Sequence, residues 1–444
     1  MNQMWRALLA LPLCAVTIIA GPALSDDSPK AAPAAESASA PTNEELARRI
    51  EVLARELEAR KLGDASDPAP PAGTTGKWGL GPAASKVYGK SSGLSIGGYG
   101  ESLYQNFDAT RENGTPSGRT NEWDYVRAVV YLGWKFDKTF VLNSEFEYEH
   151  ASTGKGGEVS VEFATLDALL RGELNLRAGL VLVPVGFVNE MHEPTTYLGA
   201  RRPDTENRIL PSTWRANGIG VFGEAGPVAY KLYLNESLSA SSFNASNGIR
   251  GGRQKGALAT ADNLAFSGRL DLVSVPGLLA GVSFFTGESG KDLVAAGQAF
   301  GARTTTWDLH ADWRYRGLWL RGVFARVTID DVALLNQSLG LTGNKSIGET
   351  QEGYYLSVGY EVLSRFAPGS SMALTPFVRY ERTDTQKEVP AGWTRDGSND
   401  RKAWTVGLDF KPIPQLALKV DWQDYSDAAN TGVSQWNVAL AYLF

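Results

Sequence analysis

From Gly93 to Phe444 the chain alternates apolar and polar residues with a period of two. In 123–136, Val126, Ala128, Val130, Leu132, Trp134 and Phe136 share one face, while Arg127, Tyr131 and Lys135 share the other. In 304–315, Trp307, Leu309, Ala311, Trp313 and Tyr315 oppose Asp308, His310, Asp312 and Arg314. In 401–411, Trp404, Val406, Leu408 and Phe410 oppose Thr405 and Asp409. This period places successive side chains on opposite faces of a strand. It predicts sixteen strands: 93–107, 123–136, 139–150, 157–171, 173–184, 217–224, 227–236, 263–273, 277–287, 304–315, 317–328, 352–363, 372–384, 401–411, 415–425 and 434–444. In 317–328 both faces are apolar, so its inward set stays open.

The connections alternate in length. Tight turns at 137–138, 172, 225–226, 274–276, 316 and 412–414 alternate with long polar stretches at 108–122, 185–216, 237–262, 288–303, 329–351 and 385–400. Two connections fit less well: 151–157 is brief for a long side, and 364–371 is extended for a short side. A transmembrane antiparallel β-barrel has this asymmetry, with an outward apolar band, aromatic girdles and a polar interior. The last strand, ending in Tyr442 and Phe444, is then a lipid-facing seam that closes onto the first. A soluble sandwich alternates too, but these apolar faces carry Trp and Tyr near strand ends, and the polar faces carry many charges.

The N-terminal part reads differently. Arg6, the apolar run Ala7 to Ala20 and Ala23-Leu24-Ser25 form a signal-peptide pattern, so 1–25 is expected to be removed. The single cysteine, Cys14, lies inside it, so no disulfide is expected. Residues 26–41 read as a flexible tether. In 42–62, Thr42 and Glu45 have capping-box spacing, and Leu46, Ile50, Leu53 and Leu57 form a short heptad-like seam. That helix either associates as a trimeric coiled coil, or lies against its own barrel or frays in solution. Residues 63–92 read as a second linker, and 93–444 as the barrel.

Charge and chemistry narrow the picture. The 444 residues carry a formal charge of −6, and no basic patch is interleaved with aromatics, so no nucleic-acid partner is implied. His150, His192 and His310 lack metal-ligand spacing, and no cofactor or enzyme is expected. His310, beside Asp308 and Asp312, is the one hint of a wall-borne hydrolase, but no serine stands in a recognisable nucleophile setting near it. Pore chemistry fits better, because a passive pore needs only charge at a constriction.

Loop 185–216 carries Arg201, Arg202, Arg208 and Arg215 with Glu190, Glu193, Asp204 and Glu206. These either line a constriction or pair internally, the latter fitting Asp204, Glu206 and Arg208; Trp214 and Pro211 are expected to fix the loop's return. In NGIRGGRQKGA, Arg250, Arg253 and Lys255 stand among glycines, which suits oxyanion capture in a vestibule. An ordinary surface loop meeting lipopolysaccharide phosphate is the other reading. Inward phase further selects Arg127, Lys135, Arg171, Lys231, Arg269, Arg314, Arg379 and Lys419, either as a basic track or as wall ion pairs. Lys411 and Arg365 are expected to be solvated near short turns.

The segments VRAVVYLGWKF, TLDALLRGELNLRAGLVLVPVGF, GARRPDTENRILPSTWRANGIGVFG, GIRGGRQKG and LTPFVRYERTD resemble the phosphate-selective porin O/P family of Gram-negative outer membranes. The resemblance implies a sixteen-stranded, homotrimeric, anion-favouring channel. Its expected partners are small anionic solutes, outer-membrane lipid and lipopolysaccharide, and the barrel-assembly machinery, which would read Tyr442 and Phe444. An even strand count separately puts both ends of the chain on the short-turn, periplasmic side, where the N-terminal helix and its tether are expected. The chain departs from the family pattern at Arg127-Ala128, where a doubled Arg is usual, and at Val183-Pro184-Val185-Gly186, which lacks the usual Lys. Those departures bear on phosphate preference rather than fold. A plugged structural or receptor barrel is the alternative in another class.

Overall fold

The structure is a computed structural model that describes residues 76–444 apart from Asp292 and Pro368, together with Glu45, Arg48 and Glu51. Those last three are helical and exposed. The seam residues Leu46, Ile50, Leu53 and Leu57, like the signal and tether, lie outside the described residues.

The strands are β1 (Gly93–Phe107), β2 (Glu122–Lys135), β3 (Phe140–Glu149), β4 (Val159–Arg171), β5 (Leu174–Leu182), β6 (Arg215–Ala225), β7 (Val228–Glu236), β8 (Leu264–Leu272), β9 (Leu278–Glu288), β10 (Val294–Ala295), β11 (Gln298–Ala299), β12 (Arg303–Tyr315), β13 (Leu318–Ile329), β14 (Thr350–Tyr360), β15 (Ala373–Glu388), β16 (Asp400–Lys411), β17 (Leu416–Asp427) and β18 (Gln435–Leu443). β10 and β11 form a small hairpin in a long loop, and the other sixteen close into one antiparallel barrel. Every predicted strand is present, with ends shifted by a few residues.

Closure pairs β1 with β18, Tyr99 opposite Leu443 and Gln105 opposite Asn437. Beyond it, the Phe444 N–H donates to the Gly98 carbonyl at 2.9 Å, and the Gly98 N–H returns the bond at 3.0 Å. No edge is left in this ring, which is the condition for placing strands in hydrocarbon. Trp404, Val406 and Leu408 are exposed outward, while Thr405 and Asp409 are buried inward. Outward Leu309 and Trp313 likewise alternate with buried Asp308, His310 and Asp312.

The two irregular connections have physical content. The long short-side link carries the helix Leu363–Phe366, and 150–158 holds one 3-10 turn at Thr153–Lys155. Arg171 is exposed at the β4–β5 turn rather than in the lumen. Lys411, expected in solvent, is buried, and its Nζ donates to the Thr195 carbonyl at 2.8 Å.

Inside the ring lies a second structure. The β5–β6 connection, 183–214, turns into the lumen and is buried along nearly its whole length. Val183, Val185, Phe187, Ile209, Leu210 and Trp214 join Leu238, Phe243 and Ile249 from the next loop and Val323 and Val327 from β13 in one apolar cluster. This explains the two apolar faces of β13: Leu318 and Leu320 look outward, and Trp319, Val323 and Val327 pack the inner loop.

Residues 76–92, expected as linker, also fold inside, through 3-10 turns at Lys77–Gly79 and Lys86–Gly89. Leu80, Ala83, Ala84, Val87 and Tyr88 pack against Tyr99, Val129, Tyr131, Val141 and Phe163 of the inner wall. The wall makes room with glycine. A Cβ on Gly133 would stand 2.6 Å from the Val87 side chain, and one on Gly359 2.7 Å from Leu198 Cδ1.

Candidate functional site

The inner loop is held by the charges of the wall, strand by strand. Gly186 N–H donates to Asp308 of β12 at 3.1 Å, and Arg269 of β8 donates to the Gly186 carbonyl. His192 Nε2 meets Glu145 of β3 at 2.9 Å. Lys419 of β17 donates to the carbonyls of Pro194, Tyr197 and Gly199 at 2.5, 2.7 and 3.0 Å. Asp421 accepts the Ala200 N–H at 2.6 Å, and Glu381 of β15 accepts the Asp204 N–H at 2.6 Å. Glu206 accepts the N–H groups of Phe187 and Val188, and the hydroxyl of Tyr355 from β14. An irregular segment exposes unpaired backbone groups, and burying them requires partners. Here the wall, together with the loop's own Glu206, supplies those partners.

The basic residues selected by phase, together with Arg215 of the loop set, fall mostly into this scaffold. Arg127 bridges Glu101 at 2.8 Å and Glu147 at 3.0 Å. Lys135 donates to the Tyr88 carbonyl at 3.2 Å. Arg215 pairs with Glu162, and Lys231 with Glu190. Arg269 pairs with Asp271 at 2.6 Å. Arg379 donates to the Leu198 carbonyl at 3.2 Å and stands 3.5 Å from Glu381. Arg314 stacks on Trp319 at 3.6 Å and stands 3.3 Å from Asp312.

The glycine-rich loop is tied in the same way. Arg250 donates to the Asn207 carbonyl at 2.9 Å, and Arg253 to the carbonyls of Ser212 and Thr213. Lys255 pairs with Glu158. Trp214, at the loop's return, packs on Phe285 with ring centroids 4.6 Å apart.

Arg201 and Arg202 differ. Both are half-buried, with Arg202 donating to the His192 carbonyl at 3.2 Å. Arg201 lines a cavity of about 310 Å³ at the long-loop end, among Arg111, Arg119, Arg208, Arg401, Asp204 and Asp427. Tyr425 and Gln435 form its wall side. Five arginines thus face two aspartates. Asp427 is occupied by the N–H groups of Ala429 and Thr431 and by the Thr431 hydroxyl. Asp204 stands 3.5 Å from Arg208. Arg401 is braced by the Ser246 hydroxyl at 3.0 Å and by Asn399 at 2.8 Å. Guanidinium groups gathered this way present planar donors to an oxyanion. Arg111, Arg119 and Arg401 were not among the sequence candidates. Arg401 had a signal, since it shares the inward phase of Ala403 and Thr405 at the loop end of β16.

Among the described residues, no group of three His, Cys, Asp or Glu side chains is placed to hold a metal ion. His310 sits with both ring nitrogens on carboxylates, Asp308 at 2.6 Å and Asp271 at 2.7 Å, and the Ser283 hydroxyl donates to Asp308 rather than to the imidazole.

A closed sixteen-stranded barrel with a loop folded into its lumen has the fold of outer-membrane porins. Salmonella typhi OmpF, solved with daunomycin, superposes with a TM-score of 0.52 at 12% identity, covering 81% of this chain and 99% of that one. The anion-selective porin from Comamonas acidovorans gives 0.50 at 13% identity, over 80% and 100%. The outer-membrane channel DcaP of Acinetobacter baumannii gives 0.50 at 11% identity, over 84% and 100%. At these identities the similarity is one of fold. No family model matches the chain. An uncharacterized protein of Aquifex aeolicus (strain VF5) is 36% identical over 379 residues, 82% of this chain and 83% of that protein, and the chain belongs to its family.

Proposed function

We propose that the chain is an outer-membrane channel for small anionic solutes, with phosphate or a related oxyanion as the solute class. The observation that carries this is the long-loop cavity with five arginines against two aspartates. Excess positive charge at a narrow mouth lowers the entry barrier for anions and raises it for cations. Arg201 and Arg202 stand where the mouth meets the inner loop, and act as the first charges of the passage. Arg127, Lys135, Arg215, Lys231, Arg269, Arg379, Arg250, Arg253 and Lys255 hold that passage in shape and contribute to its potential. The buried middle of the lumen restricts traffic to small solutes.

In this reading the long loops face outward toward lipopolysaccharide, and the short turns and N-terminal helix face the periplasm. The signal peptide is removed, Tyr442 and Phe444 engage the barrel-assembly machinery, and the chains associate as homotrimers.

The tight packing of the inner loop favours one other reading, a plugged barrel whose outer loops work as a receptor. Planar bilayers separate the two. A channel gives discrete steps, an anion-selective reversal potential in a salt gradient, and chloride current inhibited by phosphate. A membrane that stays silent at all voltages supports the plugged barrel; steps with cation selectivity sink the assignment of the arginines.

A further inference from the structure

The part of the lumen toward the short turns is filled by residues that precede the barrel. Trp78 meets the ring of Phe222 edge-on at 5.3 Å. Val87 enters the notch left by Gly133. The Tyr88 hydroxyl donates to Asp167 at 2.6 Å and accepts from Arg177 at 3.0 Å. Asn143 donates to the Ala84 carbonyl at 2.8 Å. The joint to the inner loop is one carboxylate: Glu193 Oε1 accepts the Ala83 N–H at 2.9 Å and the Ala84 N–H at 3.0 Å.

The attachment has features of a seat rather than a core. This short stretch is irregular and makes no strand pairing with the ring. Trp78 Nε1 and Glu193 Oε2 are buried without a protein partner, so opening the joint costs less than breaking a fully satisfied one. The wall behind it is complete without it, because all sixteen strands pair with each other. Removing the segment would therefore leave a closed barrel with more free cross-section.

We propose that residues 77–89 are a displaceable plug in the short-turn half of the lumen, seated at Gly133 and latched to the inner loop by Glu193. The proposal rests on the channel reading and names what controls its bore. Conductance is low while the segment is seated and rises when it leaves.

The test uses the full-length protein in planar bilayers. The Val87→Asp, Tyr88→Ala double variant unseats the segment, and its single-channel conductance is expected to rise about twofold or more. Retained heat-modifiable migration reports that its barrel is folded. A second variant, Gly133→Val, puts a side chain into the notch that Val87 fills, where even a Cβ would stand 2.6 Å from the Val87 side chain, and is expected to raise the conductance in the same way. Adding Val87→Gly to it restores the space and is expected to bring the low conductance back. A folded Gly133→Val barrel at wild-type conductance overturns the seat. Steps that are unchanged by both variants overturn the plug while leaving the channel reading intact. Silence of the wild type and of every variant overturns both.

Discussion

His192, on the inner loop, donates from Nε2 to Glu145 of β3 at 2.9 Å, and both side chains are fully buried. The other ring nitrogen, Nδ1, faces the Asn189 carbonyl at 3.0 Å. Two acceptors on one imidazole are satisfied together only when both nitrogens carry protons. Burial opposes that charge, but the Glu145 carboxylate outweighs it and holds the His192 pKa above its ordinary value. Stability from a raised histidine is complete below its unfolded value and is lost as pH climbs through the folded one. Next to it, burial pushes the Glu193 carboxyl up to about 7, against the pull of the Ala84 N–H and then of His192 and the Ala83 N–H. A carboxyl raised in this way favours folding at low pH and loses that advantage between its ordinary range and its folded pKa.

Both groups therefore point the same way. The melting temperature in detergent should fall as pH rises from mildly acidic to alkaline. The His192→Gln, Glu193→Gln double variant should have a flatter profile. A wild-type melting temperature that climbs over that interval, or a double variant with undiminished slope, contradicts the assignment.

The long-loop cavity predicts selectivity. Arg201→Glu with Arg401→Glu reverses two of its five positive charges. The anion-to-cation permeability ratio from reversal potentials should drop by about an order of magnitude at low salt and recover partly at high salt, where screening weakens the mouth's potential. An unmoved ratio removes the cavity from the permeation path.

Arg253 predicts a loop phenotype. Its guanidinium spans the carbonyls of Ser212 and Thr213; Arg253→Ala leaves Ser212 with Arg250 and the Thr213 hydroxyl but strands the Thr213 carbonyl, and should lower stability by about 1 kcal/mol. Lysine lacks the planar fork, and Arg253→Lys should recover only part of the loss. Limited proteolysis of the 183–214 segment is the direct readout. Full protection in both variants would show that the clasp is idle.

Lys419 predicts the largest effect. It gathers three carbonyls and stands 3.5 Å from Asp409, with both side chains buried. Lys419→Met leaves an unpaired buried carboxylate and three stranded acceptors, a loss of about 3 kcal/mol or more. The measurement is the denaturant midpoint, with Lys402→Met, exposed on the outer face, as the control expected to be silent.

The ring was legible because lipid outside and polar surroundings inside impose a strict alternation on each strand. β13 escaped because its inner neighbour is not water. Trp319, Val323 and Val327 pack protein, so the contrast between its faces vanishes. Phase gave the direction of Arg127, Lys231, Arg269 and Arg379, and several of their acids, Glu101 and Glu147, Asp271 and Glu381, lie on the same or the next strand. Phase could not give the inner-loop partners Glu190, Gly186 and Leu198, which belong to a segment with no period of its own. Residues 77–89 read as linker because Gly, Ala, Pro and Ser dominate their surroundings. Trp78, Val87 and Tyr88 were the signal that the stretch had somewhere apolar to go. Arg111 and Arg119 lie in a loop with no period, where neither phase nor spacing marks a residue.

The glycines on the inner wall carry an implication for sequence change. Gly133 and Gly359 are small because Val87 and Leu198 occupy the volume a side chain would take. Each wall position is thereby tied to an insert position far away in the chain, 46 residues for Gly133 and Val87 and 161 for Gly359 and Leu198, and the two share a single allotment of space. Among descendants of this chain, bulk appearing at one member of such a couple should be accompanied by shrinkage at the other.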